Sequence, residues 1–184
     1  MRERKIMKIY TKTGDEGKTS LFDNTRVWKS NERILSYGAV DELNSSLGIA
    51  LSLELDNEIR EILVKIQNDL FIVGSDLANP DITKKVMRTT QDMIAFLEEK
   101  IDLLEPQLPE LTSFILPGGE LLSSILHLAR TISRRAETHV VALLQNEDIN
   151  QNAGIYLNRV SDLLFILARI VNHRKDRSDV LWKH

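Results

Sequence analysis

The chain has 184 residues, of which 42% are hydrophobic and 28% are charged, and its 24 basic and 27 acidic side chains leave a formal charge of −3. This length predicts one domain, while the composition excludes disordered and fibrous classes and gives no overall basic surface for nucleic acid or anionic lipid. The absence of cysteine excludes disulfides, thiolate metal ligands and thiol nucleophiles.

The amino-terminal residues 1–33 are locally basic, with nine Lys and Arg against five Asp and Glu, and such an excess attracts small anions. The first ten residues lack the apolar core of a signal peptide, and no uncharged run reaches the roughly 18 residues of a membrane span. We therefore expect a cytoplasmic protein with no membrane and no nucleic-acid partner, whose chain begins at Met1 or at Met7.

The first 30 residues show no sustained hydrophobic period and predict an extended loop with one short strand at Ile6–Tyr10. Helix one begins at an N-cap on Ser30 or Asn31 and carries apolar residues at three-four spacing. Helix two follows Asp56 and stops before Pro80. The residues expected to face the core from these helices are Tyr37, Val40, Leu43, Leu47, Leu51, Ile59, Ile62, Leu63, Ile66, Leu70, Val73 and Leu77.

Three further helices are predicted after a polar, basic loop. The third starts at a cap on Thr89 or Thr90 and reaches Pro106. The fourth and fifth span about residues 120–145 and 150–173. The side chains expected to face the core are Ile94, Leu97, Ile101, Leu104, Leu121, Ile125, Leu128, Ile132, Ala136, Val140, Ile155, Val160, Leu163, Leu167 and Ile170.

Five helices with no convincing strand ladder predict an all-α fold, an up-and-down five-helix bundle in a single domain of residues 1–184. The bundle is expected to cover residues 31–174. It is preceded by the extended loop of residues 1–30 and followed by a tail of residues 175–184.

The segment Tyr10–Ser20, YTKTGDEGKTS, combines two glycines with Lys12, Lys18 and three threonines, residue types that surround phosphate oxygens. Its Gly17-Lys18-Thr19 resembles the end of a P-loop, but Lys12 stands where the first glycine belongs and no helix follows directly. The segment is therefore either a solvated flexible loop or a phosphate-binding loop.

Helix four carries a second stripe, His127, Arg130, Arg134 and Glu137, at spacings of three, four and three. Helix five repeats this theme within a very apolar sequence. Because buried arginines need carboxylate or phosphate partners, the stripes indicate either a structural ion-pair network or a ligand site at a subunit interface. The helix-five members are Asn158, Asp162 and Arg169, and the candidate carboxylate partners on helix one are Asp41 and Glu42.

Phe114 precedes a Pro-Gly-Gly turn, and the default interpretation places its ring in the core. The four histidines show no ligand spacing, so no dedicated metal site is expected. No Ser-His-Asp or paired-carboxylate arrangement follows from the spacing of the residues.

Five segments occur in order along the chain: KIYTKTGDEGKTS at residues 8–20, YGAVDELNSSLG at 37–48, FILPGG at 114–119, ARTISRRAE at 129–137 and LNRVSD at 157–162. Together they resemble the PduO-type ATP:cob(I)alamin adenosyltransferases over nearly the whole chain. The resemblance implies a homotrimer of five-helix bundles with an active site between adjacent subunits. It also implies transfer of the 5′-deoxyadenosyl group of ATP to cob(I)alamin, by attack of Co(I) on the ribose 5′ carbon, giving adenosylcobalamin and triphosphate.

The resemblance further implies roles for individual residues. Phe114 would displace the lower axial base of the corrinoid, Asp41 and Arg130 would form an intersubunit ion pair near it, and Arg134 would stabilise the departing triphosphate. ATP would be held by the loop of one subunit and by helices of its neighbour. The loop residues are Thr11, Lys12, Thr13, Gly14, Lys18, Thr19, Ser20 and Lys29, and the helix residues are Arg134, Arg135, Glu137 and Asn158.

Thr138 stands where many relatives have arginine after RRAE, which leaves one expected phosphate contact open. Mg²⁺ is expected with ATP, held mostly by phosphate oxygens and water. The expected partners are ATP, the reduced corrinoid, an electron donor for Co(II), and an adenosylcobalamin-dependent enzyme that accepts the product. Two rival interpretations are a corrinoid-binding delivery protein without turnover, and a structural trimer with ion-paired interfaces.

Overall fold

The computed structural model describes residues 9–83 and 88–183 and confirms the five-helix bundle. A two-stranded antiparallel sheet and a single 3-10 turn at Glu105–Gln107 accompany the helices in the described residues. The strands are β1 (Lys18–Ser20) and β2 (Arg26–Trp28), and the helices are α1 (Glu32–Leu51), α2 (Asn57–Ala78), α3 (Gln91–Leu104), α4 (Leu121–Asn146) and α5 (Asn152–His173).

The predicted strand at Ile6–Tyr10 is not found where it can be tested. Residues 6–8 lie outside the described residues, while Ile9 and Tyr10 are exposed and belong to no strand. The strands form instead at β1 and β2, within the segment that was expected to be a loop. Three-residue strands are too short to show a hydrophobic period, so the sequence pattern could not indicate them.

Helix ends follow the predicted capping residues. The Asn31 side chain accepts a hydrogen bond from the Arg33 amide at 2.9 Å, and the Thr90 hydroxyl accepts one from Met93 at 3.4 Å. Helix α2 begins after Asp56 and ends two residues before Pro80, as predicted. None of the helices in the described parts of the chain is long and apolar enough to cross a membrane.

Helix α4 packs against α1 and α5, and its buried face differs from the predicted one. Leu121 and Leu128 are exposed, and on α5 Ile155 is exposed as well, so these three predictions are wrong. Ile132, Ala136 and Val140 are buried as predicted, whereas in the first half of α4 the buried positions lie one residue, or about 100° around the helix, after the predicted ones. The buried face also includes Ser123 and Ser133, which a hydrophobicity pattern does not detect. Its other members include Leu122, Leu126, Ala129, Ala136 and Val140.

The connector, residues 108–120, joins α3 to α4 and ends in a sharp turn. Gly119 has a φ of +106°, a backbone conformation that glycine adopts without the penalty that a Cβ brings. The Asn172 side chain of α5 holds this turn from both sides, because its Oδ1 accepts from the Glu120 amide and its Nδ2 donates to the Gly118 carbonyl, each at 2.9 Å.

The carboxyl-terminal tail, residues 174–183, returns to the connector. The Leu116 amide donates to the Val180 carbonyl, and the Trp182 amide donates to the Phe114 carbonyl, both at 2.8 Å. Ile115 and Leu181 form the antiparallel bridge between them. The tail therefore places Trp182 beside Phe114, a pairing that the sequence analysis did not predict.

Candidate functional site

The connector, the tail and helices α4 and α5 border a solvent-open cavity of about 730 Å³, here called the connector cavity. Phe114 is 80% exposed and its ring lies 6.5 Å from that of Trp182 in an edge-to-face arrangement. The expectation that Phe114 is a core residue is therefore wrong, because the turn and the tail hold its ring outside the bundle. The cavity is lined by Leu111, Thr112, Ser113, Phe114, Ile115, Pro117, His127, Arg130, Phe165 and Trp182.

His127 contributes a buried imidazole to this cavity. Its ring lies 6.0 Å from that of Phe165, and no described residue hydrogen-bonds its buried Nδ1. Burial lowers the pKa of His127, the neighbouring charge of Arg130 lowers it further, and Asp179 opposes both effects. The imidazole is accordingly neutral at pH 7.

Arg130 lines the connector cavity without an anionic partner. Its guanidinium lies 6.0 Å from the Phe165 ring, its buried Nε has no hydrogen-bond acceptor, and no ion pair among residues 9–83 and 88–183 includes it. Burial lowers its pKa, as does Arg134. Arg169 differs, because its Nε donates to Asp179 at 2.8 Å and its Nη2 to the Pro109 carbonyl at 2.7 Å. Arg169 is thus held in place by Asp179 and Pro109, whereas Arg130 pairs with no carboxylate among the described residues.

A second cavity of about 460 Å³, here called the arginine cavity, lies between α3, α4 and α5. Arg130 and Arg134 line it together, so the structure brings these two predicted residues to one place. Two carboxylates from α3 and one from the 3-10 turn that follows it line the same cavity. Its charged lining residues are Glu98, Asp102, Glu105, Arg130, Arg134, Arg159 and Asp162.

The predicted nucleotide residues that follow Arg134 on α4 make separate contacts. Glu137 accepts a hydrogen bond from Asn158 Nδ2 at 3.1 Å, which joins α4 to α5. Thr138 donates its hydroxyl to the Arg134 carbonyl at 2.9 Å and so bonds within its own helix. Arg135 forms an ion pair with Glu42, one of the two carboxylates that the sequence singled out on α1.

Asp41, the other carboxylate of that pair, lies in a different place from Arg130. It lines a groove of about 430 Å³ between α1 and α2, beside the exposed ring of Phe71. Gly38 and Gly74 line the same groove. A Cβ added at either position would meet no atom within 4 Å, so the groove is open at both glycines. The ion pair between Asp41 and Arg130 stays a prediction.

The amino-terminal loop gathers the predicted phosphate-binding residues into one turn around β1 and β2. Lys12 and Gly17 both adopt positive φ, and the Arg26 guanidinium donates to the Thr13 carbonyl at 2.6 Å and to the Lys18 carbonyl at 3.2 Å. A Cβ at residue 14 would lie 3.3 Å from the Lys29 ammonium group, so glycine allows that amine to approach the backbone. The side chains of Lys12, Lys18 and Lys29 are exposed.

The loop contacts the bundle at the end of α2, where the Phe22 amide donates to the Ala78 carbonyl at 3.3 Å. Neither the connector cavity nor the arginine cavity is lined by a loop residue. The cationic loop and the arginines of α4 therefore lie in two separate regions of one chain.

Sequence reasoning missed several residues of these cavities, among them Trp182, Arg159 and Glu98. Trp182 carried a signal, because an aromatic residue in a polar tail is out of place unless it packs against something. Arg159 lay within the LNRVSD segment but was given no role, and Glu98 lies on the polar face of α3, where no pattern distinguishes it from solvated carboxylates.

A family model described as cobalamin adenosyltransferase matches residues 9–171. The chain is 46% identical to the corrinoid adenosyltransferase of Bacillus subtilis (strain 168) over 179 residues, which cover 95% of this chain and 91% of that protein. It is 44% identical to the corrinoid adenosyltransferase of Mycobacterium leprae (strain TN), covering 97% and 96%.

Among solved structures, similarity extends to a variant of the PduO-type ATP:corrinoid adenosyltransferase from Lactobacillus reuteri complexed with cobalamin and ATP. The TM-score is 0.90 at 41% identity, and the match covers 96% of this chain and 100% of the other.

Proposed function

This chain belongs to the cobalamin adenosyltransferase family, and from that premise we propose how its residues transfer the 5′-deoxyadenosyl group of ATP to cob(I)alamin. Co(I) of the corrinoid substrate attacks the ribose 5′ carbon with its electron pair. The cobalt–carbon bond forms while the carbon–oxygen bond breaks, and the oxygen leaves with triphosphate. The nucleophile belongs to the substrate, so the protein aligns the two reactants and stabilises the charge of the leaving group.

The connector cavity is the proposed corrinoid site. The observation that carries this assignment is the exposed ring of Phe114, which lies on the wall of a largely apolar cavity whose one cation, Arg130, has no anion. A phenyl ring has no lone pair to donate to cobalt, so its presence at the lower face leaves the metal four-coordinate. Loss of the axial donor ligand lowers the energy of the cobalt orbital that receives the electron, so Co(II) becomes easier to reduce.

The ATP site is proposed to form between two subunits of a homotrimer. Support comes from the separation of two cationic regions, because the exposed lysines of the loop and the arginines of α4 line no common cavity among those described. Exposed apolar residues on α2 and α4 suit burial against another copy, and the Asp41 groove suits a partner's Arg130. The exposed apolar residues are Val64, Phe71, Leu121, Leu128 and Val141.

Lys12, Lys18 and Lys29 would bind the triphosphate from the loop, while Arg134 of the neighbouring subunit meets the charge that develops as it leaves. Mg²⁺ enters with ATP through phosphate oxygens and water. No group of three or more His, Asp or Glu side chains in residues 9–83 and 88–183 is arranged to hold a metal ion.

The proposed reaction also sets requirements on the redox environment and on the partners of the protein. Co(I) is a strong reductant, so the reaction requires an electron donor that reduces Co(II) and belongs in the reducing cytoplasm. Adenosylcobalamin is then consumed by an enzyme that uses it as cofactor.

The decisive experiment is anaerobic incubation of the protein with ATP and chemically reduced cobalamin. We expect the absorbance of a cobalt–carbon bond and one triphosphate per adenosylcobalamin formed. A protein that binds adenosylcobalamin tightly but releases no triphosphate would instead be a corrinoid carrier, and the proposed reaction would be rejected.

Phe114→Ala separates the role of the ring from a structural role. A buried phenylalanine costs about 3–5 kcal/mol on replacement by alanine, but this ring is mostly exposed and adds only an edge contact to Trp182, so we expect about 1–2 kcal/mol. The variant should lose turnover that starts from Co(II) and regain it with pre-reduced Co(I). Equal losses from both starting states would exclude Phe114 from the cobalt site.

A further inference from the structure

Asn158 is held in one orientation by two neighbours. Arg159 Nη1 donates to its Oδ1 at 2.8 Å, and its Nδ2 donates to Glu137 Oε1 at 3.1 Å. The orientation is chemically unambiguous, because a guanidinium can only donate and a carboxylate can only accept. A rotation of the amide by 180° would set N–H against N–H and oxygen against oxygen.

Arg159 is itself fixed from two directions. Its Nε donates to Glu98 of α3 at 2.8 Å, and its Nη1 lies 3.5 Å from Asp162 on the next turn of α5. The hydrogen bond to Glu98 raises the pKa of Arg159 above its ordinary value, against the opposing effect of burial. A chain of polar contacts thus runs from α3 through α5 to Glu137 on α4.

Arg159 also lies between two hollows. It lines the arginine cavity together with Arg130 and Arg134, and it lines a groove of about 570 Å³ together with Glu137 and Asn158. Its planar fork lets it contact Glu98 with one nitrogen and Asn158 with another, which the single ammonium group of lysine does less well.

We propose that Arg159 is a positioning residue, which fixes the side-chain amide of Asn158 so that its remaining N–H and oxygen lone pair face the nucleotide. This inference rests on the proposed function, in which Asn158 belongs to the ATP site. Arg159 acts through Asn158 and touches neither the reacting carbon nor the cobalt.

The test compares Arg159→Met with Arg174→Met in the full-length protein. Arg174 is a matched control, because its side chain is 30% exposed against 33% for Arg159 and it also pairs with two carboxylates, those of Asp56 and Glu58. We expect Arg159→Met to raise KM for ATP about tenfold, equivalent to about 1.4 kcal/mol, while KM for cob(I)alamin changes less than about twofold. Arg174→Met should change neither constant.

A double-mutant cycle shows whether the effect passes through Asn158. In an Asn158→Ala background, Arg159→Met should add less than about twofold to KM for ATP. Arg159→Lys, which keeps the charge, should fall between wild type and Arg159→Met. Additive effects, or a loss of thermal stability with an unchanged KM for ATP in both Arg159 variants, would overturn the proposal. An inactive wild-type protein would instead reject the proposed function, so the two failures are distinguishable.

Discussion

Gly119→Ala is predicted to be among the most damaging single-methyl additions to the connector. The added Cβ would lie 2.6 Å from the Cγ of Asn172 and closer still to the atoms of its amide. Real Cβ atoms do not approach other heavy atoms so closely, so Asn172 must move. It is the side chain that ties the Gly118 carbonyl and the Glu120 amide together at the start of α4.

The magnitude follows from two contributions. An L-residue at a φ of +106° costs roughly 1–2 kcal/mol in backbone strain, and the loss of two partly buried hydrogen bonds costs about 1 kcal/mol each. Alanine also restricts the unfolded chain more than glycine does, which stabilises the folded protein by roughly 0.5–1 kcal/mol and offsets part of this loss. We therefore expect a net loss of about 3 kcal/mol in the free energy of unfolding.

Urea denaturation at one fixed protein concentration measures this loss, because subunit association makes stability depend on concentration. Gly118→Ala is the matched control, since a Cβ there would meet nothing within 4 Å and the backbone lies outside the left-handed region. The control should stay within about 1 kcal/mol of wild type. A Gly119→Ala midpoint that matches the control would refute the reasoning about Asn172.

Three further predictions concern the charged and titrating groups. Arg134→Ala should lower turnover at least about tenfold with an unchanged oligomer, because a charge-assisted contact to phosphate contributes roughly 1.5–3 kcal/mol; near-normal kinetics would remove it from the site. Asp41→Asn should weaken corrinoid use, and a double-mutant cycle with Arg130 that shows no coupling energy would reject their pairing. Because burial lowers the pKa of His127, the unfolded chain binds its proton more tightly, so stability should fall as pH drops below about 6.5. Between pH 7.5 and about 5, the denaturation midpoint should fall less steeply with decreasing pH in His127→Gln than in wild type. An equally steep fall in both proteins would contradict a lowered pKa of His127.

The helices could be predicted closely because their signals are local. Asn31, Thr90 and the prolines mark ends that depend on neighbouring residues alone, and the inward residues of α2 are all buried as expected. The buried face of α4 could be predicted only in its second half, where Ile132, Ala136 and Val140 are buried as expected. Ser133 is buried there because its hydroxyl donates to the Leu157 carbonyl at 2.8 Å, a partner 24 positions away that no local pattern shows.

The same distinction between local signals and long-range contacts applies to the candidate site. The amino-terminal loop proposed to bind phosphate and the arginine stripe were visible in sequence, because each lies within one continuous segment. The exposure of Phe114 depends on the tail that pairs with it, and the fixed orientation of Asn158 depends on Glu137 and Glu98 from two other helices. These features arise from tertiary contacts, so residue types and spacing could nominate the residues but could not give their geometry.

The bridge between the connector and the tail also sets an order of events during synthesis. Phe114 and Trp182 stand 68 positions apart, which corresponds to roughly 3–14 s at about 5–20 residues per second on the ribosome. During that interval the backbone groups of Phe114 and Leu116 that later pair with the tail lack those partners, and the Phe114 ring lacks its edge contact to Trp182. The wall of the connector cavity is completed only once Trp182 has been added, so a chain that ends before this residue lacks both the bridge to the connector and one side of that cavity.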